Sequence, residues 1–150
     1  MKSSKTSAMF SFGWFYPVNR IEVRAEAIVN PTEDPAKVER AIRAIVREGS
    51  LEKIKTERGS LLKITAHGLD SLIPLQALLR QDRIRDAARS MLFSGVAGKT
   101  VRFSLNKQVA YVSHISFSEP NEEPPLGTID MEISCDDPES LINWIAPRSR

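Results

Sequence analysis

The sequence predicts an α+β fold: one domain with a mainly antiparallel sheet of about six strands and three or four helices packed on one face of the sheet. Three observations predict it. Several short segments alternate apolar and polar residues, two longer segments have helical periodicity, and most strand neighbours are joined by short loops. A length of 150 residues with 41% hydrophobic and 27% charged residues suits one globular core. We expect the domain to span residues 18–147, after a flexible or loosely docked arm at 1–17 and before a tail at 148–150.

The first strand and the first helix follow each other directly. Residues 20–29 alternate between apolar and charged side chains, which is typical of a half-buried strand. Asp34 and Pro35 then form a helix start, because Asp is a good N-cap and Pro suits the first helical position. The helix is predicted to run to about Arg47, with its apolar residues on one side and its basic residues on the other.

The middle of the chain predicts a hairpin and a long helical section. Residues 51–56 and 61–66 form the hairpin around Arg58 and Gly59. Helical periodicity then continues over residues 69–93 and allows two helices broken near Gln81 and Asp82.

The last third of the chain predicts three more strands and a closing helix. The strands occupy residues 101–105, 110–117 and 129–135, with an exposed polar loop at 119–125. The helix begins at a second Asp-Pro pair and occupies the segment 137–147.

Charge is distributed unevenly along the chain, although the net charge is only +2. Residues 35–107 contain 15 Lys and Arg against 7 Asp and Glu, whereas residues 108–147 contain 8 acidic residues and no Lys or Arg. A section with a strong excess of basic residues is typical of proteins that bind polyanions. This layout favours nucleic acid as the partner.

Other classes of site have little support in the sequence. The two histidines, His67 and His114, are far apart, and the single Cys135 lies in a strand pattern, so we expect no metal site and no disulfide. Asp136 and Asp137 are interpreted as N-cap residues rather than magnesium ligands. We find no nucleophile motif, no phosphate-binding glycine loop and no apolar run of membrane-spanning length. We therefore predict no catalytic residue, no cofactor and no membrane contact, in a cytoplasmic protein.

The basic residues and their amide neighbours are the candidates for RNA contacts. Guanidinium groups bind phosphates bidentately, and side-chain amides can read base edges. A turn at 106–108, between two predicted strands, is expected to expose three such side chains. The candidate RNA-binding residues are Lys37, Arg40, Arg43, Arg80, Gln81, Arg83, Arg89, Arg102, Asn106, Lys107 and Gln108.

Several segments together resemble an archaeal protein family that is described as predicted RNA-binding, with a suggested link to the exosome. These segments are residues 30–35, 78–89, 106–110, 126–127 and 143–147, in the same order along the chain. The resemblance covers about residues 20–147. It implies an α+β fold similar to that of the large-subunit ribosomal protein that binds 5S RNA, in an archaeal cytoplasm, and it carries over no catalytic residue. It supports the 106–108 turn, together with Arg80, Gln81 and Arg89, as candidates.

Three functional hypotheses remain open. The first is a non-catalytic RNA-binding protein, an accessory to RNA processing or to ribosome-related assembly. The second is a protein-interaction module or homodimer that uses charge-complementary surfaces and binds no nucleic acid. The third, with the least support, is a metal-dependent enzyme that acts on RNA or a nucleotide through Asp130, Glu132 or the pair Asp136 and Asp137.

Overall fold

A computed structural model describes residues 20–148, so the expected arm at 1–17 lies outside the described residues. In chain order the elements are β1 (Glu22–Val29), α1 (Pro35–Arg43), β2 (Ser50–Thr56), β3 (Gly59–His67), α2 (Ile73–Gln81), α3 (Arg85–Ser94), β4 (Val96–Ala97), β5 (Thr100–Asn106), α4 (Lys107–Ala110), β6 (Phe117–Ser118), β7 (Thr128–Ser134) and α5 (Pro138–Ile145). A short 3-10 turn, Leu69–Leu72, precedes α2.

The seven strands form one open antiparallel sheet. The strand order is β2-β3-β1-β7-β5-β4, and the two-residue β6 also pairs with β5. The longest pairings place the N-terminal strand β1 in the middle of the sheet, between β3 and β7. The predicted α+β fold with a mainly antiparallel sheet is confirmed.

The hydrophobic core lies between one face of the sheet and the helices. Alternate residues of β1, β3, β5 and β7 are buried, as the two-residue periodicity predicts, and they pack against the apolar sides of the helices. Helix α1 packs on β1 and β3, α3 packs on β5, and α5 contacts both α2 and α3. The helices therefore cover one face, and this layer contains most of the basic residues predicted to contact RNA.

The opposite face of the sheet presents charged side chains in cross-strand pairs. Lys63 lies 3.5 Å from Glu26, and Glu132 lies 3.8 Å from Arg24 and 3.4 Å from Arg102. Basic and acidic residues that are far apart in the sequence thus become neighbours, because β7 pairs with both β1 and β5.

The predicted helix boundaries are confirmed where capping residues define them. The Asp34 carboxylate accepts a hydrogen bond from Ala36 N at 3.0 Å, and Asp137 accepts one from Ser140 N at 3.2 Å. The long helical section is divided into α2 and α3, with the break after Gln81. Among residues 20–148, no helix is both long and apolar enough to span a bilayer.

The predicted strand at 110–117 is wrong. The Asn106 side chain accepts a hydrogen bond from Val109 N at 3.1 Å and so caps α4, which starts where the strand pattern suggested an extended turn. Ser113 then adopts a φ of 60°, which ends any regular structure. His114 consequently lies in a loop instead of on a strand, and the extended part is reduced to β6.

Candidate nucleic-acid interface

A buried ion pair connects the loop after β1 to helix α4. The Lys107 side chain is fully buried, with its Nζ 2.8 Å from Glu33 Oε1, and the Glu33 side chain is only 6% exposed. Lys107 Nζ also donates to the carbonyl of Ile28 at 2.5 Å. A buried ammonium group needs such partners, because transfer out of water is costly unless charge and hydrogen bonds are both satisfied.

Glu33 is the centre of a larger hydrogen-bond network. Its carboxylate accepts from the backbone N and Nδ2 of Asn30, at 3.0 and 2.7 Å, and from the Tyr111 hydroxyl. Burial acts to raise the pKa of Glu33, but the hydrogen bonds from Lys107, Tyr111 and Asn30 outweigh it and lower this pKa to about 2. Burial, and then the Glu33 carboxylate, raise the pKa of Tyr111. The network therefore holds Glu33 as a carboxylate and Tyr111 as a neutral phenol at neutral pH.

This network corrects the expectation of an exposed 106–108 turn. The Asn106 side-chain oxygen caps α4 and Lys107 is buried in the ion pair, so the Asn106 oxygen is already engaged and Lys107 is not presented to solvent. Gln108 alone of the three is exposed. Lys107 continues the buried alternation of Val101, Phe103 and Leu105, and this periodicity is the signal that could have identified it as an inward-facing residue.

Sequence reasoning also missed Glu33 and Tyr111 as members of a site. Asn30 and Glu33 lie within the 30–35 segment, and Lys107 lies within the 106–110 segment, both of which carry the family resemblance. The structure brings these two segments together, although Glu33 and Lys107 are 74 positions apart in the sequence. Their shared feature is the buried network.

A groove of about 830 Å³ lies between α1 and α4, next to this network. We call it the α1–α4 groove; its lining residues are Thr32, Glu33, Asp34, Lys37, Arg40, Ala41, Arg43, Ala44, Ala110, Tyr111 and Ser113. This concave surface is thus surrounded by three basic side chains from α1, by three alanines, and by hydroxyl and carboxylate groups.

The basic side chains of α1 are positioned by the amphipathic pattern of the helix. Val38, Ala41 and Ile42 face the core, which leaves Lys37 and Arg40 exposed. Neither of these two makes an ion pair with any residue that the structure describes. Arg43 differs, because it lies 3.4 Å from Glu39 and donates to the carbonyls of Glu48 and Gly49.

A second group of candidates lies at the α2–α3 corner, which we define as residues 80–84. Arg80, Gln81 and Arg83 are all exposed, and the two arginines form no ion pair within the described part of the chain. The corner is attached to the loop after α4 by Asp82, whose carboxylate accepts from Ile115 N and contacts the His114 ring, each at 2.9 Å.

These bonds bring the corner close to the α1–α4 groove. The Ile115 N–H and His114 together lower the pKa of Asp82, so it stays ionised at neutral pH. The loop that holds Asp82 also contributes Ser113 to the groove wall. The loop 113–115 therefore contacts both the α2–α3 corner, through Asp82, and the α1–α4 groove, through Ser113.

Two other candidates have structural partners. Arg89 donates to Asn143 Oδ1 at 2.8 Å and to the Ala146 carbonyl at 3.0 Å, and its guanidinium lies over the Phe93 ring. Arg89 thus provides a hydrogen bond to a backbone carbonyl at the C-terminal end of α5. Arg102 lies on the opposite face of the sheet beside Glu132 and is not part of the helical surface.

The acidic residues of the enzyme hypothesis are also engaged in local structure. Asp130 accepts from the hydroxyls of Ser104 and Thr128, and Asp137 caps α5. Within residues 20–148, no three His, Cys, Asp or Glu side chains come together in a metal-binding arrangement.

Comparison with known proteins identifies the family to which the sequence is similar. A family model described as RNA binding matches residues 22–135. A UPF0201 protein of Sulfolobus acidocaldarius is 38% identical over 130 residues, which cover 85% of this chain and 88% of the relative. A UPF0201 protein of Sulfurisphaera tokodaii is 40% identical over 124 residues, covering 83% and 86%.

Solved structures show the same fold. The crystal structure of a UPF0201 protein from Methanococcus jannaschii has a TM-score of 0.75 and 34% identity, covering 86% of this chain and 95% of that one. A structure from Methanothermobacter thermautotrophicus has a TM-score of 0.54 at 14% identity, covering 85% and 96%, and is similar in fold alone.

Proposed function

The chain belongs, with the archaeal UPF0201 proteins, to the family whose model is described as RNA binding, and on this premise we propose that it binds RNA through the helical face. The proposed role is non-catalytic, as an accessory to RNA processing or ribosome-related assembly, which is the setting that the family resemblance implies. The contact surface consists of the α1–α4 groove and the α2–α3 corner.

One observation carries the proposal: Lys37, Arg40, Arg80 and Arg83 are exposed on this face without an ion-pair partner in the described residues. Two other cations nearby are already paired, Arg43 with Glu39 and Lys107 with Glu33. Free cations on a concave surface are available to displace the counterions of a phosphate backbone.

The expected binding is dominated by phosphate contacts and therefore depends on salt. Each neutralised phosphate of a single strand contributes about 0.7 to the slope of log affinity against log salt concentration. With four free cations, we expect a slope of about −3. Contacts of this kind position the RNA, and base contacts would add any sequence preference.

The test is a fluorescence-anisotropy titration with short RNAs at about 50 and about 200 mM salt. Lys37→Ala combined with Arg40→Ala should weaken binding about tenfold or more at the lower salt concentration and reduce the slope, because two phosphate contacts are removed. The matched control is Lys63→Gln with Arg102→Gln, which removes two positive charges from the opposite face of the sheet.

The control variant should bind like the wild type. Equal losses in both double variants would mean that binding follows net charge alone and not this face. Absence of binding to any RNA at low salt would refute the proposal.

A further inference from the structure

We infer that the α1–α4 groove holds one unpaired nucleotide of the RNA, with its base or ribose on the alanine floor and its two flanking phosphates against Lys37 and Arg40. The inference rests on the proposed function, which it makes more specific: the ligand is single-stranded or looped RNA rather than a duplex. Four features of the groove support it, namely its size, its floor, its rim of charge and its fixed wall.

The size of the groove suits a small ligand group. Its volume of about 830 Å³ falls in the range of pockets that enclose organic ligands, about 300–1,000 Å³. The bases of a duplex are stacked inside the helix, so a duplex can offer such a groove only its backbone. Unpaired bases can be turned out of a strand and inserted into a protein cavity.

The floor of the groove favours an apolar or aromatic group. It includes the small side chains of Ala41, Ala44 and Ala110, of which Ala41 and Ala110 are almost fully buried and Ala44 is partly exposed. A phosphate gains nothing from a methyl group, whereas a base or ribose removes the exposed apolar surface of Ala44 from water when it lies on it. The small side chains also leave the space that a planar ring needs.

The charges around the groove limit where a phosphate can lie. Lys37, Arg40 and Arg43 lie on the α1 side, while Asp34 contributes a carboxylate at the beginning of that helix. A phosphate near Asp34 would be repelled. Carboxylate and hydroxyl oxygens at this position, including those of Thr32 and Ser113, can instead accept hydrogen bonds from a ribose 2′-hydroxyl or from base N–H groups.

The wall opposite α1 is rigid because of the buried network. Tyr111 lines the groove while its hydroxyl is bound to Glu33, which is itself held by Lys107 and Asn30. A wall fixed before the ligand arrives reduces the ordering cost of binding. The network thus has a positioning role for the groove.

The experiment fills the floor without changing charge. Ala44→Leu places three extra carbon atoms in the groove, and Ala87→Leu, at an exposed position of α3, is the matched control. Each variant is titrated by anisotropy with a single-stranded RNA, a duplex RNA of the same length and a single-stranded DNA of the same sequence. Thermal melts monitored by circular dichroism verify folding, and Ala44→Gln replaces Ala44→Leu if the latter does not fold.

We expect the wild type to bind single-stranded RNA at least about tenfold more tightly than duplex RNA, and more tightly than the DNA, which lacks the 2′-hydroxyl. Ala44→Leu should remove most of that advantage while leaving duplex binding unchanged, and Ala87→Leu should have no effect. Equal affinity for duplex and single strand, or an Ala44→Leu variant that binds single-stranded RNA like the wild type, would overturn the inference while leaving RNA binding intact. Failure to bind any of the RNAs would instead count against the proposed function itself.

Discussion

Replacement of Lys107 by Met should destabilise the protein strongly, because it leaves the Glu33 carboxylate buried without its cation. The length of Met is similar to that of the Lys stem, so the change removes charge and hydrogen bonds rather than volume. The Glu33 pKa of about 2, against an ordinary 4.5, corresponds to about 3 kcal/mol of net stabilisation of the ionised form, to which Lys107, Tyr111 and Asn30 all contribute. Removal of one partner from a buried pair costs a similar amount, about 3–5 kcal/mol. We expect a loss of about 3 kcal/mol at neutral pH.

The assay is urea unfolding of the wild type, Lys107→Met, Glu33→Gln and the double variant, at neutral pH and at mildly acidic pH. The folded-state pKa of Glu33 is depressed, so its contribution in the wild type is fully present above about pH 5 and is lost as the pH falls toward about 2. In Lys107→Met the buried carboxyl is expected to take up a proton more readily. The deficit relative to the wild type should therefore shrink as the pH is lowered.

The double-mutant cycle gives the decisive number. We expect a coupling free energy of about 2 kcal/mol or more between Glu33 and Lys107, because each single variant leaves the other partner buried and uncompensated. Lys63→Met is the control, since its pair with Glu26 is partly exposed and should contribute less than about 1 kcal/mol. A deficit below about 1 kcal/mol for Lys107→Met, or a coupling near zero, would refute the reasoning.

Two further predictions separate structural from RNA-binding residues. Asp34→Ala should cost about 1 kcal/mol in urea unfolding, because the hydrogen bond to Ala36 N that caps α1 is lost, and Asp34→Asn should retain most of it; equal losses would argue against capping. Arg89→Ala should lower the melting temperature, since its bonds to Asn143 and to the end of α5 disappear, while RNA affinity measured by anisotropy stays within about twofold. A large loss of affinity with unchanged stability would instead indicate that Arg89 contacts RNA.

The charge layout along the chain does not determine which charged residues share a surface. The excess of basic residues over 35–107 and of acidic residues over 108–147 suggested two surfaces of opposite sign. The sheet mixes them on its open face, because β7 pairs with β1 and β5 and brings Glu132 next to Arg24 and Arg102. A homodimer formed by charge-complementary surfaces stays a prediction, but part of the acidic section is already paired within the chain.

The sequence by itself determined the local elements. Two-residue alternation gave the four long strands of the sheet core and their buried faces, and the Asp-Pro pairs gave the starts of α1 and α5, because side-chain direction and capping depend on neighbouring residues alone. The same local signals failed at residues 110–117, where strand-forming side chains follow an Asn that caps a helix.

Only the tertiary structure decided which candidates share a surface. The Asn-Lys-Gln segment reads as an exposed polar turn, yet strand pairing places Lys107 beside Glu33 and converts it into part of the core. Lys37 and Arg40 are left free by the same fold, and the α2–α3 corner is attached near them through Asp82. Burial and ion pairing depend on contacts between residues that are far apart in the chain. The order of strands and the packing of helices determine these contacts, whereas periodicity and composition describe only short segments.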